Sequence, residues 1–262
     1  MTTPEILACL SLAVSMVLPA ISQTSQSCSL EYGTISQPPI VEPMKNDFKP
    51  ELYPTLDRYV SLLLPKMASI DGDRKVVIEE IANYIFERLS QKEQANLTFI
   101  CTHNSRRSQL SQLWAETAAY YYGLEAEINN YSGGTEITAF NFRAVSALER
   151  SGFQIEKSAG NNPRYEIKFT QNAQAIGSFS KKYDDVTNPK KDFAAIMTCS
   201  HADESCPFIP GAKLRIALPY DDPKASDGTA DEKLIYDERC SQIALEMFYL
   251  INQVSIKFQS AR

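Results

Sequence analysis

Histidine is nearly absent from this chain: among 262 residues only His103 and His201 occur. Two isolated histidines outside any ligand-spaced cluster do not make a metal site, and both read as loop residues. An excess of positive charge is also lacking. The formal net charge of −6 argues against a whole-surface affinity for nucleic acid or for acidic membranes, although a local nest of backbone N–H groups can still bind an anion. No internal repeat is present. Nor does any apolar run match a bilayer span of about 20 residues. The longest, residues 6–21, has the length of a signal-peptide core, with Ala20 and Ser22 as small residues before a cut at Gln23. The basic segment expected ahead of such a core is missing, since the first five residues hold Glu5 and neither Lys nor Arg. Two readings therefore stand: export to the periplasm or beyond through residues 1–22, or a cytoplasmic protein with a buried N-terminal helix or a mis-assigned start. Cys28 is not preceded by the small apolar residues of a lipid-modified cysteine.

What is present is an ordinary globular composition, 44% hydrophobic and 22% charged, on a chain long enough for one α/β domain plus an extension. The six cysteines are Cys9, Cys28, Cys101, Cys199, Cys206 and Cys240. A chain this long and core-rich has no need of a disulfide framework, so chemistry is the better reading for Cys101, Cys199 and Cys206. Residues 23–50 are rich in Ser, Gln and Pro and read as a linker. Helical periodicity follows at 52–67 and, after Asp71-Gly72-Asp73, at 75–89. Residues 51–92 thus form a helical extension, with the main domain at 93–262.

In that domain residues 97–101 read as a buried parallel strand. The loop THNSRR then leads into a helix with Leu110, Leu113, Trp114, Thr117, Ala118 and Tyr121 on its buried face. A second strand at 128–131 ends in Ser132-Gly133-Gly134, and a helix at 142–149 is closed by Gly152. Residues 160–191 read as irregular or weakly β. Strands at 193–198 and 213–217 and a helix at 231–254 complete the domain. Alternating strands and helices predict an α/β fold with a doubly wound, four-stranded parallel sheet.

The segment Cys101-Thr102-His103-Asn104-Ser105-Arg106-Arg107-Ser108 lies between a strand and a helix. There the unsatisfied N–H groups and the positive end of the helix dipole converge on an anion. That field favours a cysteine thiolate, the nucleophilic form. Arg107 brings a planar fork that can hold two oxyanion oxygens, Ser108 can donate to the thiolate, and Asn104 tolerates left-handed backbone. The chemistry implied is thiolate attack on a tetrahedral oxyanion, phosphate or arsenate.

Three pieces in order, CTHNSRRS, TCSHADESCPFIPG and YDDP, make residues 97–254 resemble the low-molecular-weight protein tyrosine phosphatase superfamily, and within it the thioredoxin-coupled arsenate reductases. The resemblance implies Cys101 as nucleophile, Arg107 as oxyanion clamp and Ser108 as thiolate donor. Thr102, His103, Asn104, Ser105 and Arg106 would form the substrate loop, supported by Ser132. Asp222, which spacing alone reads only as a turn residue, becomes the general acid. Cys199 would attack the arsenic–cysteine adduct and Cys206 would resolve the disulfide, with a thioredoxin-type thiol reductant as co-substrate and no other cofactor. The alternative is a phosphatase that hydrolyses phosphomonoesters through a phosphocysteine, for which Phe140 and Phe142 supply part of an aromatic wall. The chain departs from the family pattern at His103, where glycine is usual, at Arg106, where a second loop cysteine is common and arginine makes the loop more basic, and at Gln112, which puts the branch's potassium site in doubt. An exported protein would meet a reductant and a redox poise that fit poorly with a cysteine relay.

Overall fold

The computed structural model describes residues 50–260. The segment read as a signal sequence, nearly all of the linker, Cys9 and Cys28 lie outside the described residues.

Helix α1 (Pro54–Leu63) starts on Pro54, whose fixed φ suits the first turn. The predicted continuation to residue 67 is instead a 3₁₀ turn, Leu64–Ser69, because Pro65 cannot donate to the α-helical ladder. Helix α2 (Gly72–Ser90) is capped by Asp71, which accepts hydrogen bonds from Asp73 N at 2.9 Å and Arg74 N at 3.3 Å. Strand β1 (Ala95–Cys101), helix α3 (Arg107–Tyr121), strand β2 (Ile128–Gly134) and helix α4 (Phe142–Ser151) follow. Thr117, the polar member of the α3 buried face, bonds back to Leu113 O at 2.8 Å. Gly152 ends α4 at φ 110°, where a Cβ would lie 2.4 Å from Leu56 N of α1.

The next segment, read as irregular or weakly β from residue 160, holds short strands. Strands β3 (Gln154–Lys157), β4 (Tyr165–Lys168) and β5 (Ile176–Ser178) form a separate antiparallel sheet. Each is only three or four residues long and mostly polar, too short for a periodicity to show. Its anchorage is tertiary: Tyr165, Ile167 and Phe169 are buried in the main core. Strand β6 (Phe193–Met197), the short helix α5 (Ser200–Ser205), strand β7 (Ala212–Ala217) and helix α6 (Glu232–Ser260) complete the chain. Helix α6 runs six residues past the predicted end at 254.

The main sheet has the order β2-β1-β6-β7, all parallel. Alternation along its strands divides the core. Ala95, Leu97 and Phe99 of β1 and Ala194 and Ile196 of β6 join a large apolar cluster with α2, α3 and α6. Ile100 and Cys101 of β1, with Phe193, Ala195 and Met197 of β6, join a smaller cluster capped by Ala202 of α5. Helices α1 and α2 are built into the large cluster: Leu56, Val60, Ile78, Ile81 and Ile85 have no exposed side-chain surface. Each such burial contributes about 1.5–3 kcal/mol. Arg74 of α2 pairs with Glu246 of α6 at 2.9 Å and stacks over the ring of Tyr220, 4.6 Å from its centroid. No helix among the described residues is long and apolar enough to cross a membrane.

Candidate active site

The carboxyl ends of β1, β6 and β7 meet where β1 hands over to α3, the position at which an open parallel sheet binds its ligand. Cys101 is the last residue of β1 and is almost wholly buried. Its Sγ lies 3.1 Å from Ser108 Oγ, and Ser108 Oγ also accepts from Asn104 Nδ2 at 2.9 Å. A hydroxyl carries one proton and two lone pairs, so Ser108 Oγ can accept from Asn104 and still donate to the Cys101 sulfur.

Asn104 holds the loop. It takes φ 45°, in the left-handed region that asparagine tolerates. Its Oδ1 accepts from Lys181 N at 3.0 Å and Gln109 Nε2 at 3.1 Å. Gln109 Nε2 also donates to Phe179 O at 2.8 Å. From below, Gly134 lies so close that a Cβ there would sit 2.7 Å from Asn104 N and 2.8 Å from Thr102 O. Only glycine lets β2 pass beneath the loop at that distance. Ser132, two residues earlier, is buried; its carbonyl accepts from Asn188 Nδ2 at 3.0 Å, while its Oγ has no protein partner.

The remaining loop residues face several ways. Ser105 Oγ donates to Ala139 O at 2.6 Å. His103 lies at the outer rim, its Nε2 3.3 Å from Glu136 Oε2. Thr102 is turned away from the loop interior: Oγ1 lies 3.5 Å from Cys199 Sγ and 3.3 Å from His201 Nδ1. Arg106, the residue that makes the loop more basic, is held by partners outside it. Its Nε donates to Tyr236 OH at 2.8 Å, and its Nη2 pairs with Asp227 at 3.4 Å. Tyr236 OH itself donates to Asp227 Oδ1 at 2.8 Å, and burial holds that phenol up at about 12.

Arg107 and Asp222 are brought together from 115 residues apart. Arg107 Nη2 donates to Asp222 Oδ2 at 2.7 Å and Nη1 to Tyr220 O at 3.0 Å. Asp222 also caps the 3₁₀ turn Pro223–Ser226 by accepting from Lys224 N at 3.1 Å. The two cysteines of the predicted pair bracket α5. Cys199 is its N-cap, with Sγ accepting from Ala202 N at 3.3 Å, and Cys206 follows its last residue. Cys199 is buried and Cys206 half-buried; both pack in the cluster that holds Cys101, and all three are free thiols.

Proteins similar to this one were found among both sequences and structures. The chain is 30% identical over 135 residues to an arsenate reductase of Halalkalibacterium halodurans, covering 52% of this chain and 78% of that one. The chain is an arsenate reductase-like member of the low-molecular-weight protein tyrosine phosphatase superfamily. An arsenate reductase of Bacillus subtilis is 29% identical over 147 residues, 56% of this chain and 87% of the relative. A solved arsenate reductase in a phosphate-binding state overlaps 62% of this chain and 99% of its own, with 17% identity and a TM-score of 0.42. No family model matches the chain.

Beside the loop of this reductase-like protein lies a cavity of about 440 Å³. His103, Ser105 and Arg106 form its inner rim, Phe142 and Lys224 line it, and the β3–β4 region contributes Lys157. Sequence reasoning named Phe140 and Phe142 on this wall but missed the β3–β4 contribution, and it missed residues 179–183, which back the loop. Gly134 N donates to Lys181 O at 2.8 Å and Tyr183 N donates to Gly134 O at 2.9 Å. No local signal marks these residues, because their partners, Asn104, Gln109 and the backbone of Gly134, are remote in sequence. Gln112, the departure at the expected cation site, donates its amide to Asn130 O at 3.1 Å.

Proposed function

We propose that the chain reduces arsenate to arsenite by a three-cysteine relay. The observation that carries this reading is the placement of Cys199. Its thiol lies 3.5 Å from the hydroxyl of Thr102, the residue next to Cys101, and Cys206 stands at the other end of a single six-residue helix. A phosphatase has no use for that pair.

In the first step the Cys101 thiolate attacks arsenic, and an As–OH group leaves as water with a proton from Asp222. Arg107, fixed beside Asp222, carries a buried Nε without a protein partner, a donor that suits an oxyanion. Cys199 then attacks Cys101 Sγ. The S–S bond forms, the S–As bond breaks, and its electron pair reduces As(V) to As(III), which departs as arsenite. Cys206 attacks Cys199 Sγ and frees the Cys101 thiolate. A helix of six residues has little cooperative stability of its own, so α5 can unwind to bring Cys206 to Cys199. The Cys199–Cys206 disulfide so formed is the substrate for a thioredoxin-type dithiol.

Phosphomonoester hydrolysis through Cys101, Arg107 and Asp222 is the second reading, favoured by the cavity beside the loop with Phe142 on its wall. Arsenite release with thioredoxin, measured beside hydrolysis of an aryl phosphate, separates the two. Cys199→Ser abolishes reduction and spares hydrolysis if the relay operates, and a Cys199→Ser protein that still releases arsenite at the native rate refutes it. Cys101→Ser removes both activities.

A further inference from the structure

Resting on that relay, the geometry points to His201 as the acceptor of the Cys199 proton, with the Thr102 hydroxyl as conduit. Cys199 must lose its proton before it can attack Cys101, yet it is buried, so solvent does not take that proton directly. Among the described residues, Thr102 Oγ1 is the side-chain oxygen placed between this sulfur and a base: 3.5 Å from Cys199 Sγ and 3.3 Å from His201 Nδ1. A hydroxyl has one proton to donate and two lone pairs. With Nδ1 unprotonated, Thr102 donates to His201 and accepts from the Cys199 S–H, which orders the chain as S–H···O–H···N.

When Cys199 attacks, its proton passes to Thr102 Oγ1 and the hydroxyl proton passes to His201 Nδ1. The sulfur electron pair forms the bond to Cys101 Sγ, the pair of the broken S–As bond stays on arsenic, and arsenite leaves. The imidazolium is exposed and returns its proton to water. Ala202 N, donating to Cys199 Sγ at 3.3 Å, stabilises the same anion. Ser205 Oγ also approaches Nδ1, at 3.5 Å, farther than Thr102 Oγ1. Other ionisable groups of this region include Cys101 and Cys206; Tyr183, which lies near Cys206; Glu204 of α5; Asp203, which Arg215 of β7 pairs at 2.6 Å; and His103 with Glu136, whose N donates to Thr102 O. None of them is hydrogen-bonded to Thr102 Oγ1. His201 acts through Thr102 and touches no reacting atom, so its role is a positioning and proton-accepting one.

The test uses the full chain carrying Cys206→Ser, in which one turnover with arsenate stops at the Cys101–Cys199 disulfide. Its rate of formation is measured by acid quench and mass spectrometry from pH 6 to 9. Adding His201→Gln is expected to slow it about a hundredfold near neutral pH, the lower range for a general base. The deficit should shrink as pH rises and hydroxide takes over the proton. In a His201→Ala protein, added imidazole should restore much of the rate. An unchanged pH–rate profile in His201→Gln overturns the inference, as does a pH-independent slowing that imidazole does not relieve. If the parent Cys206→Ser protein forms no Cys101–Cys199 disulfide at all, the relay falls, and this role falls with it.

Discussion

The Asp222 carboxylate accepts a 2.7 Å hydrogen bond from the Arg107 guanidinium, and the carbonyl of Tyr220, two residues before Asp222, takes a second bond from the same group at 3.0 Å. The proposed general acid and the proposed oxyanion clamp are thus one unit. The loop after β7 is registered on the start of α3 through a planar fork that lysine could not replace.

Asp222→Asn keeps an oxygen that can accept from Arg107 but has no acidic proton to deliver. Turnover should fall 10²- to 10⁴-fold for both arsenate and an aryl phosphate, with phosphate affinity nearly unchanged. Steady-state kinetics with phosphate as a competitive inhibitor would check this. A loss smaller than fivefold would remove Asp222 from the acid role.

The pairing of Arg74 with Glu246 ties α2 to α6, and Arg74 covers the ring of Tyr220. Glu246 is almost fully buried, and it also accepts from Gln242 Nε2 at 3.1 Å. Glu246→Ala leaves the Arg74 charge without its carboxylate in a largely apolar setting. Breaking a buried pair in this way costs about 3 kcal/mol or more. Urea unfolding should report that loss, and restoring neutrality with Arg74→Met in the same chain should recover part of it.

Alkaline pH should destabilise the fold through Cys240. This thiol is fully buried in the large cluster and accepts from Trp114 Nε1 at 3.3 Å. Burial pushes it up to about 11 from an ordinary 9.0. The folded state therefore keeps a proton that the unfolded chain releases first. The stability this represents is fully present below pH 9 and is lost as pH rises through about 11, on the order of 2–3 kcal/mol. Half-buried Tyr59, raised to about 12, extends the decline in the same direction. Urea midpoints at pH 8, 9.5 and 11 measure the effect; a flat profile over that range would contradict it. Cys240 should also resist alkylation in the native protein at pH 8, where a denatured sample reacts.

Much of the site was legible from the chain alone, for a local reason. Cys101, Asn104, Arg107 and Ser108 fall within eight residues of one strand–loop–helix unit, and the physics of a helix N-terminus acts over that distance. Cys199 and Cys206 likewise carry their meaning in a seven-residue spacing. The central strands β1 and β6 were readable because buried strands are near-continuous apolar runs, and α3 because its buried face repeats at helical spacing.

Other features required the folded chain. In sequence Arg106 says only that the loop is more basic; its partners, Asp227 and Tyr236, lie more than a hundred residues away. The antiparallel sheet β3–β5 is held by Tyr165, Ile167 and Phe169 entering a core whose other members are remote. Thr102 would pass for one more residue of the substrate loop. Only the folding of β6 against β1 sets its hydroxyl between Cys199 and His201. Sequence alone singled out the proposed nucleophile and the proposed oxyanion fork, because both assignments rest on neighbouring residues. Tertiary structure decided which groups tune them, since hydrogen bonds act over about 3 Å whatever the separation along the chain.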